Sequence, residues 1–279
     1  MKGLVRACHP EPTAAVTTLM TALAVAAGRG WGSVWVLLGV LAGQLSVGWS
    51  NDWIDRDRDR RAGRREKPIV SGAVAARTVG IGAAVALVAC VPLSFASGPR
   101  AAAAHLTGVA FAWAYNLRLK TTPLSVVPYV VAFALLPSFV TFGLPGTPAA
   151  PWWATAAGGL LGAGAHFANT VPDLASDAHT GVRGLPHRVG LTWSVGLAAS
   201  LLGAAVVVLA VAPILDSESG TSSAAGTVAT TAATAVALVC VGGVVVAVLR
   251  GRPRLGWRLT LLTAAVAVGL LIARGGSLA

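Results

Sequence analysis

Long apolar runs alternate with short polar breaks from one end of the chain to the other. Bounded by charged and Pro/Gly breaks, the runs fall at about 13–29, 31–50, 73–96, 101–117, 124–143, 152–171, 191–213, 226–249 and 256–273. Each is close to the roughly 20 residues that a helix needs to cross the hydrocarbon layer of a bilayer. The pattern predicts an all-α, polytopic membrane protein with nine transmembrane helices, organised as a single domain over 1–279. The first run has a second reading as a signal peptide, because Lys2 and Arg6 precede it and "AVAAG" follows, but the "HPEP" insertion breaks up that start. The Ser/Thr/Gly-rich stretch "DSESGTSSAAGT" reads as a flexible external loop.

Composition agrees. Hydrophobic residues make up 55% of the chain and charged ones only 11%, against roughly 25% charged in an average soluble domain. The net charge of +11 would suggest nucleic acid in a soluble protein. Here it follows the rule that orients membrane loops, and no nucleic-acid partner is expected. With the N-terminus placed in the cytoplasm, every basic residue except Arg29, Arg100 and Arg274 falls on the cytoplasmic side. Of the acidic residues, only Asp216 and Glu218 fall outside. Cys8, Cys90 and Cys240 are scattered without metal or disulfide spacing and read as small apolar side chains.

Half of the ten acidic residues crowd into "SNDWIDRDRDRRAGRREKPIVSG", where the second run ends. Asn51, Asp55 and Asp59 are spaced by four, so a helix lines them on one face; Asp52 joins its edge and Asp57 points away toward neighbouring Arg residues. At the end of the sixth run, "NTVPDLASDAHTGVRGLP" repeats the spacing with Asn169, Asp173 and Asp177, 118 positions later. Each motif leads into a Gly-containing basic loop and a Pro, which suggests two pseudo-repeated halves with motifs at 51–59 and 169–177.

Stacked carboxylates repel one another unless a hard cation bridges them. Mg²⁺ takes oxygen ligands, keeps several waters, and binds through a few carboxylates plus substrate phosphates. The interleaved Arg and Lys residues meet the remaining phosphate charge. An isoprenoid diphosphate matches both halves of the pattern, with a head that needs Mg²⁺ and a tail that needs a membrane-depth cavity. A run of charges that only fixes topology accounts for the Arg residues but not for the repeated Asn-xxx-Asp-xxx-Asp, because acidic residues contribute little to orientation. A cation transporter would place charge near the bilayer midplane, and here the charges sit at the ends of runs.

"NDWIDRDRDRRAGRREKPIVSG" resembles the first aspartate-rich motif of the UbiA-type intramembrane prenyltransferases, and "DLASDAHTGVRGLPHRVG" resembles their second. "YNLRLK" at 115–120 is similar to the Tyr-to-Lys segment between their fourth and fifth helices. The resemblance covers nearly the entire chain. It implies nine helices around a central cavity capped by cytoplasmic loops, with Mg²⁺ and an allylic diphosphate held between the motifs. Asn51, Asp55 and Asp59 would form one metal site, with Asp52 in support, and Asp173 and Asp177 the other, with Asn169 beside them. Lys67, Lys120 and Arg183 match positions where the family places cations on the diphosphate, and Arg118 and Arg6 are looser candidates. Tyr115 would bond a phosphate oxygen, face the developing cation, or simply pack. The family often has Lys-Thr where this chain has Arg183-Gly184.

The implied chemistry is Lewis-acid and electrostatic ionisation of the C–O bond, leaving an allylic cation in a dry cavity. The main reading passes the prenyl group to an acceptor, most often an aromatic ring in the family it resembles, with His166 as a candidate base or orienting group. The alternative is a terpene cyclase, in which the cation is captured internally. Most of the nine Trp residues read as interface anchors, with Trp49, next to the first motif, as the exception that would face the cation.

Overall fold

The computed structural model describes residues 2–174, 177, 181–215, 224–273 and 278. Ten α-helices carry the described chain: α1 Lys2–Ala7, α2 Pro10–Ala26, α3 Gly32–Arg61, α4 Ala76–Phe95, α5 Pro99–Leu117, α6 Val127–Thr141, α7 Trp152–Thr170, α8 Leu185–Leu215, α9 Ala224–Leu249 and α10 Pro253–Ala273. No strand occurs among the described residues. Among the described residues, five stretches are long and apolar enough to cross a bilayer: Gly32–Arg61, Ala76–Phe95, Pro123–Thr141, Leu185–Ala212 and Thr230–Leu249. His179, Asp216, Glu218 and Arg274 lie outside the described residues. The last four residues of "DSESGTSSAAGT" belong to α9, and the others also lie outside them.

Several boundaries differ from the hydropathy pattern, for local reasons. Helix α3 runs unbroken past residue 50 to Arg61, because no Gly or Pro interrupts it before Gly63. Arg58, Arg60 and Arg61 in its last turn sit against the negative end of its dipole. The first acidic motif is therefore a rigid extension of a membrane helix. The second is not: α7 stops at Thr170 and tightens into a 3₁₀ turn over Val171–Asp173, where Pro172 has no N–H to continue the ladder. Equal spacing in the two motifs thus does not mean equal backbone. Helix α8 is kinked at Gly190, whose φ of 81° is open chiefly to glycine.

Helix α3 packs on α4, α5 on α6, α6 on α7, and α7 on α8. The largest apolar core is built by Leu23 of α2, Val40 of α3, Phe139 of α6 and Leu202 of α8, among others. Helices α6 and α7 approach so closely that a Cβ on Gly158 or Gly162 would collide with the carbonyl oxygens of Phe133 and Tyr129. That contact sets Tyr129 beside the end of α7. Between the helices lies a cavity of about 780 Å³, lined among the described residues by α1, α2, α3, α5, α6, α7, α8 and α10 but by none of α4 or α9. Helix α2, at 17 residues, is shorter than those stretches, and Arg258–Ala273 of α10 is a shorter apolar stretch.

Candidate active site

One end of the cavity is ringed by charge. Asn51, Asp55 and Asp59 line it together from α3, as their spacing predicts. The Asp55 and Asp59 side chains are buried, whereas Asp57 is exposed and pairs with Arg60 at 3.2 Å. Asp173 and Asp177 line the same end from the second motif, as does Asn169, which donates to the Tyr129 hydroxyl at 3.3 Å. The two motifs therefore meet. Among the described residues no three acidic, His or Cys side chains close around one point as a preformed metal cage.

What joins the motifs is basic. Asp55 lies between Arg58 Nη2, at 2.6 Å, and Lys120 Nζ, which contacts its other oxygen. Arg64 spans the gap, with Nη1 3.5 Å from Asp59 Oδ1 and Nη2 2.8 Å from Asp177 Oδ1 and 3.8 Å from Asp173 Oδ1. Burial alone would lower the Arg64 pKa, but Asp173, Asp177 and Asp59 together hold it above the ordinary guanidinium value. Lys120 goes the other way: burial depresses it, and Asp55 only partly offsets this. A depressed ammonium gains most from an incoming anion.

Asp52 does not line the cavity. It is 2% exposed and accepts from Lys67 Nζ at 2.7 Å, with His9 Nε2 3.0 Å from the same oxygen. Lys67 does line the cavity, so Asp52 holds a site cation rather than joining the carboxylate ring. His9 arrives on the N-terminal segment, which crosses α3 so closely that a Cβ at Gly48 would meet the Cys8 carbonyl. Trp49 donates its indole N–H to Leu4 O at 2.9 Å and stays out of the cavity lining. Its expected place facing a cation is corrected: it pins the N-terminal segment. Arg6 lines the cavity, whereas Arg118 and Arg183 are exposed and outside its lining.

Below the charged ring the lining turns aromatic. Tyr115 meets Tyr129 edge-on at 5.3 Å and His166 at 5.8 Å, and Phe133 stacks near Tyr129 at 6.4 Å. His166 is 1% exposed. Its Nε2 lies 3.0 Å from the Ser125 hydroxyl, which accepts the Leu185 N–H at 2.8 Å, while Nδ1 has no partner among the described residues. Deeper still, His105 sits inside the cavity wall, its Nδ1 2.8 Å from Ser94 Oγ and its ring stacked on Phe139.

Arg58, Arg64, His9, His187, Asn116 and Tyr129 are cavity residues not singled out from the sequence. Arg58 was legible in principle, three residues after Asp55 on the same helix. The others depend on which segments the fold brings together.

The chain matches the model of the UbiA prenyltransferase family over residues 14–241. It belongs to that family. The UbiA homolog from Archaeoglobus fulgidus bound to GPP and Mg²⁺ superposes with a TM-score of 0.71 at 20% identity, covering 99% of each chain. The apo UbiA homolog from Aeropyrum pernix K1 gives 0.71 at 21% identity over 92% of this chain and 96% of that one. A digeranylgeranylglyceryl phosphate synthase gives 0.66 at 16% identity over 99% of both. None of the curated proteins matches the chain. The protein is thus a polytopic membrane protein of the UbiA fold.

Proposed function

We propose that this UbiA family member is a Mg²⁺-dependent intramembrane prenyltransferase that ionises an allylic isoprenoid diphosphate and passes the prenyl group to an aromatic acceptor. One observation carries the reading: Asp55 and Asp59 converge with Asp173 and Asp177 at the head of a large cavity, among Arg58, Arg64, Lys67 and Lys120. All nine helices from α2 to α10 then cross the bilayer, with the N-terminus and the acidic ends cytoplasmic. The chain acts as one domain of two pseudo-repeated halves.

The donor set fits Mg²⁺. It is all hard oxygen, from four carboxylates and the Asn51 amide, and too sparse to complete a shell without water and phosphate, which is how this ion is held. Asn51, Asp55 and Asp59 would hold one ion, and Asp173 and Asp177 the other, with Asn169 at the edge. When bound, the ions neutralise the diphosphate and stabilise the charge that grows on it as the C–O bond breaks.

The chain's own cations complete that work. Lys120, Arg58, Arg64 and Lys67 pair with carboxylates, and with Mg²⁺ on those carboxylates they would be available to the phosphate oxygens. Arg118 and Arg183 would add charge from outside the cavity lining. The Tyr115 hydroxyl reaches toward the head, while the faces of Tyr115, Tyr129 and Phe133 attract the allylic cation, each worth up to about 2 kcal/mol when dry. Apolar walls below keep water from quenching it.

Transfer is favoured over internal cyclisation by His166. The Ser125 hydroxyl can complement Nε2 in either tautomer, while Nδ1 is buried beside Tyr115 and Tyr129 with no partner among the described residues. A buried ring nitrogen wants a polar partner, which an acceptor phenol has and a prenyl chain lacks. Incubation with geranylgeranyl diphosphate and Mg²⁺, with and without phenolic acceptors, tests the reading. Prenylated phenol supports it; abundant cyclic hydrocarbon from the acceptor-free mixture makes the protein a cyclase.

A further inference from the structure

The cavity continues far below the aromatic ring, and its length is a property of this chain that the reaction class does not set. Its depth can be read along three walls. From the level of Asn51, Tyr115 and Asn169, lining residues continue to Val40 on α3, Ala104 on α5 and Ala154 on α7. At 1.5 Å of rise per residue these intervals span about 16 Å, 16 Å and 22 Å.

The far end is closed. Val40, Leu23 and Ala154 meet there from three different helices, and each is 1% exposed. Beyond them Arg29 Nη1 caps the end of α6, donating to the carbonyls of Phe139 at 3.2 Å and Val140 at 3.3 Å. Below His166 the α7 wall is made of small residues (Ala154, Ala157, Gly158 and Ala165) apart from Leu161, so a chain lying along it meets few bulky side chains.

An extended chain advances roughly 1.2 Å per bond, so an isoprene unit with four chain bonds adds about 5 Å. Three units reach about 14 Å and stop short of every wall. Five reach about 24 Å and overrun them all. Four units, about 19 Å, are the only count that falls within the spread of about 16–22 Å set by the three walls.

We propose that the cavity measures its substrate, and that the allylic diphosphate carries a twenty-carbon, geranylgeranyl-length tail whose end lies against Val40, Ala154 and Ala157. Val40 and Ala157 are then specificity-determining residues for the reaction proposed above, and the inference rests on that reading.

The test uses S-thiolodiphosphate analogues, which do not ionise, with geranyl, farnesyl, geranylgeranyl and geranylfarnesyl tails. Binding to the full chain in detergent is measured with Mg²⁺, beside inorganic diphosphate as a probe of the head site. Wild type is expected to bind the C20 analogue at least tenfold tighter than C10 and tenfold tighter than C25. The fall at C25 separates a closed floor from detergent partitioning, which only rises with length. Ala157→Phe, which fills the floor from α7, should lose at least tenfold for C20 while C10 and inorganic diphosphate stay within twofold. Val40→Phe does the same from α3. C25 binding as tight as C20 overturns the ruler while leaving the head site intact, as does unchanged C20 affinity in both folded variants. Absence of binding by every probe overturns the proposed function itself. The wild-type series decides the matter even if a variant fails to fold.

Discussion

Arg64 Nη2 lies 2.8 Å from Asp177 Oδ1, linking the loop after α3 to the segment after α7 across 113 positions of sequence. The same guanidinium reaches Asp59, so one side chain ties both acidic motifs together before any ligand arrives. Arg64→Ala removes this tie and leaves Asp59, Asp173 and Asp177 facing one another. Diphosphate release is expected to fall roughly 10–100-fold, the usual cost of losing a group that orients metal ligands. Raising Mg²⁺ should recover part of the loss. A titration in which the Mg²⁺ requirement is unchanged would show that Arg64 does not organise the carboxylates.

Lys120 and Arg58 share Asp55, but their loss should read differently from the loss of Asp55. In Lys120→Met, Arg58 still pairs the carboxylate, and a costly buried ammonium is gone. Thermal stability is expected to change little, while affinity for inorganic diphosphate weakens by about 2–5 kcal/mol, as for truncation of one member of a buried charge pair. Calorimetric titration of diphosphate in Mg²⁺ checks the second figure. A large fall in Tm with unaltered diphosphate affinity would make Lys120 structural.

The N-terminal segment is part of the site through Asp52. Gly48→Val pushes on the Cys8 carbonyl and lifts His9 from Asp52. Lys67 then loses its fixed position although nothing in the carboxylate ring has changed. Activity should drop, and amides of residues 2–9 should exchange faster with solvent. Unaltered exchange there together with normal turnover would contradict the link.

Gly162→Val acts on the α6–α7 contact, where a Cβ meets the Tyr129 carbonyl. Overpacking of this kind costs about 1–3 kcal/mol. The denaturation midpoint should fall accordingly, and the ring of Tyr129 should move from His166, now 4.9 Å away. A variant as stable as wild type would mean that the helices are not in close contact.

Much of this was legible along the chain. The apolar runs anticipate the long helices, and the four-residue spacing anticipates that Asn51, Asp55 and Asp59 share a face. Period reports which side chains share a helix face; it carries no information about which helix lies opposite. That is why Arg64 read as an orienting charge and Trp49 as a cation-facing ring, although one bridges the motifs and the other pins the N-terminus. Pro172 marks the second limit. The Asp173 spacing copies that of Asp55, but a missing N–H turns the backbone there into a 3₁₀ turn.

The central claim is that both acidic segments act together on one diphosphate. Diphosphate release from geranylgeranyl diphosphate in Mg²⁺, compared among wild type, Asp55→Asn and Asp173→Asn of equal helicity, tests it most directly. Each substitution alone is expected to reduce release by about 100-fold or more, since each removes a carboxylate proposed to hold Mg²⁺. Wild-type release by either variant would contradict the account.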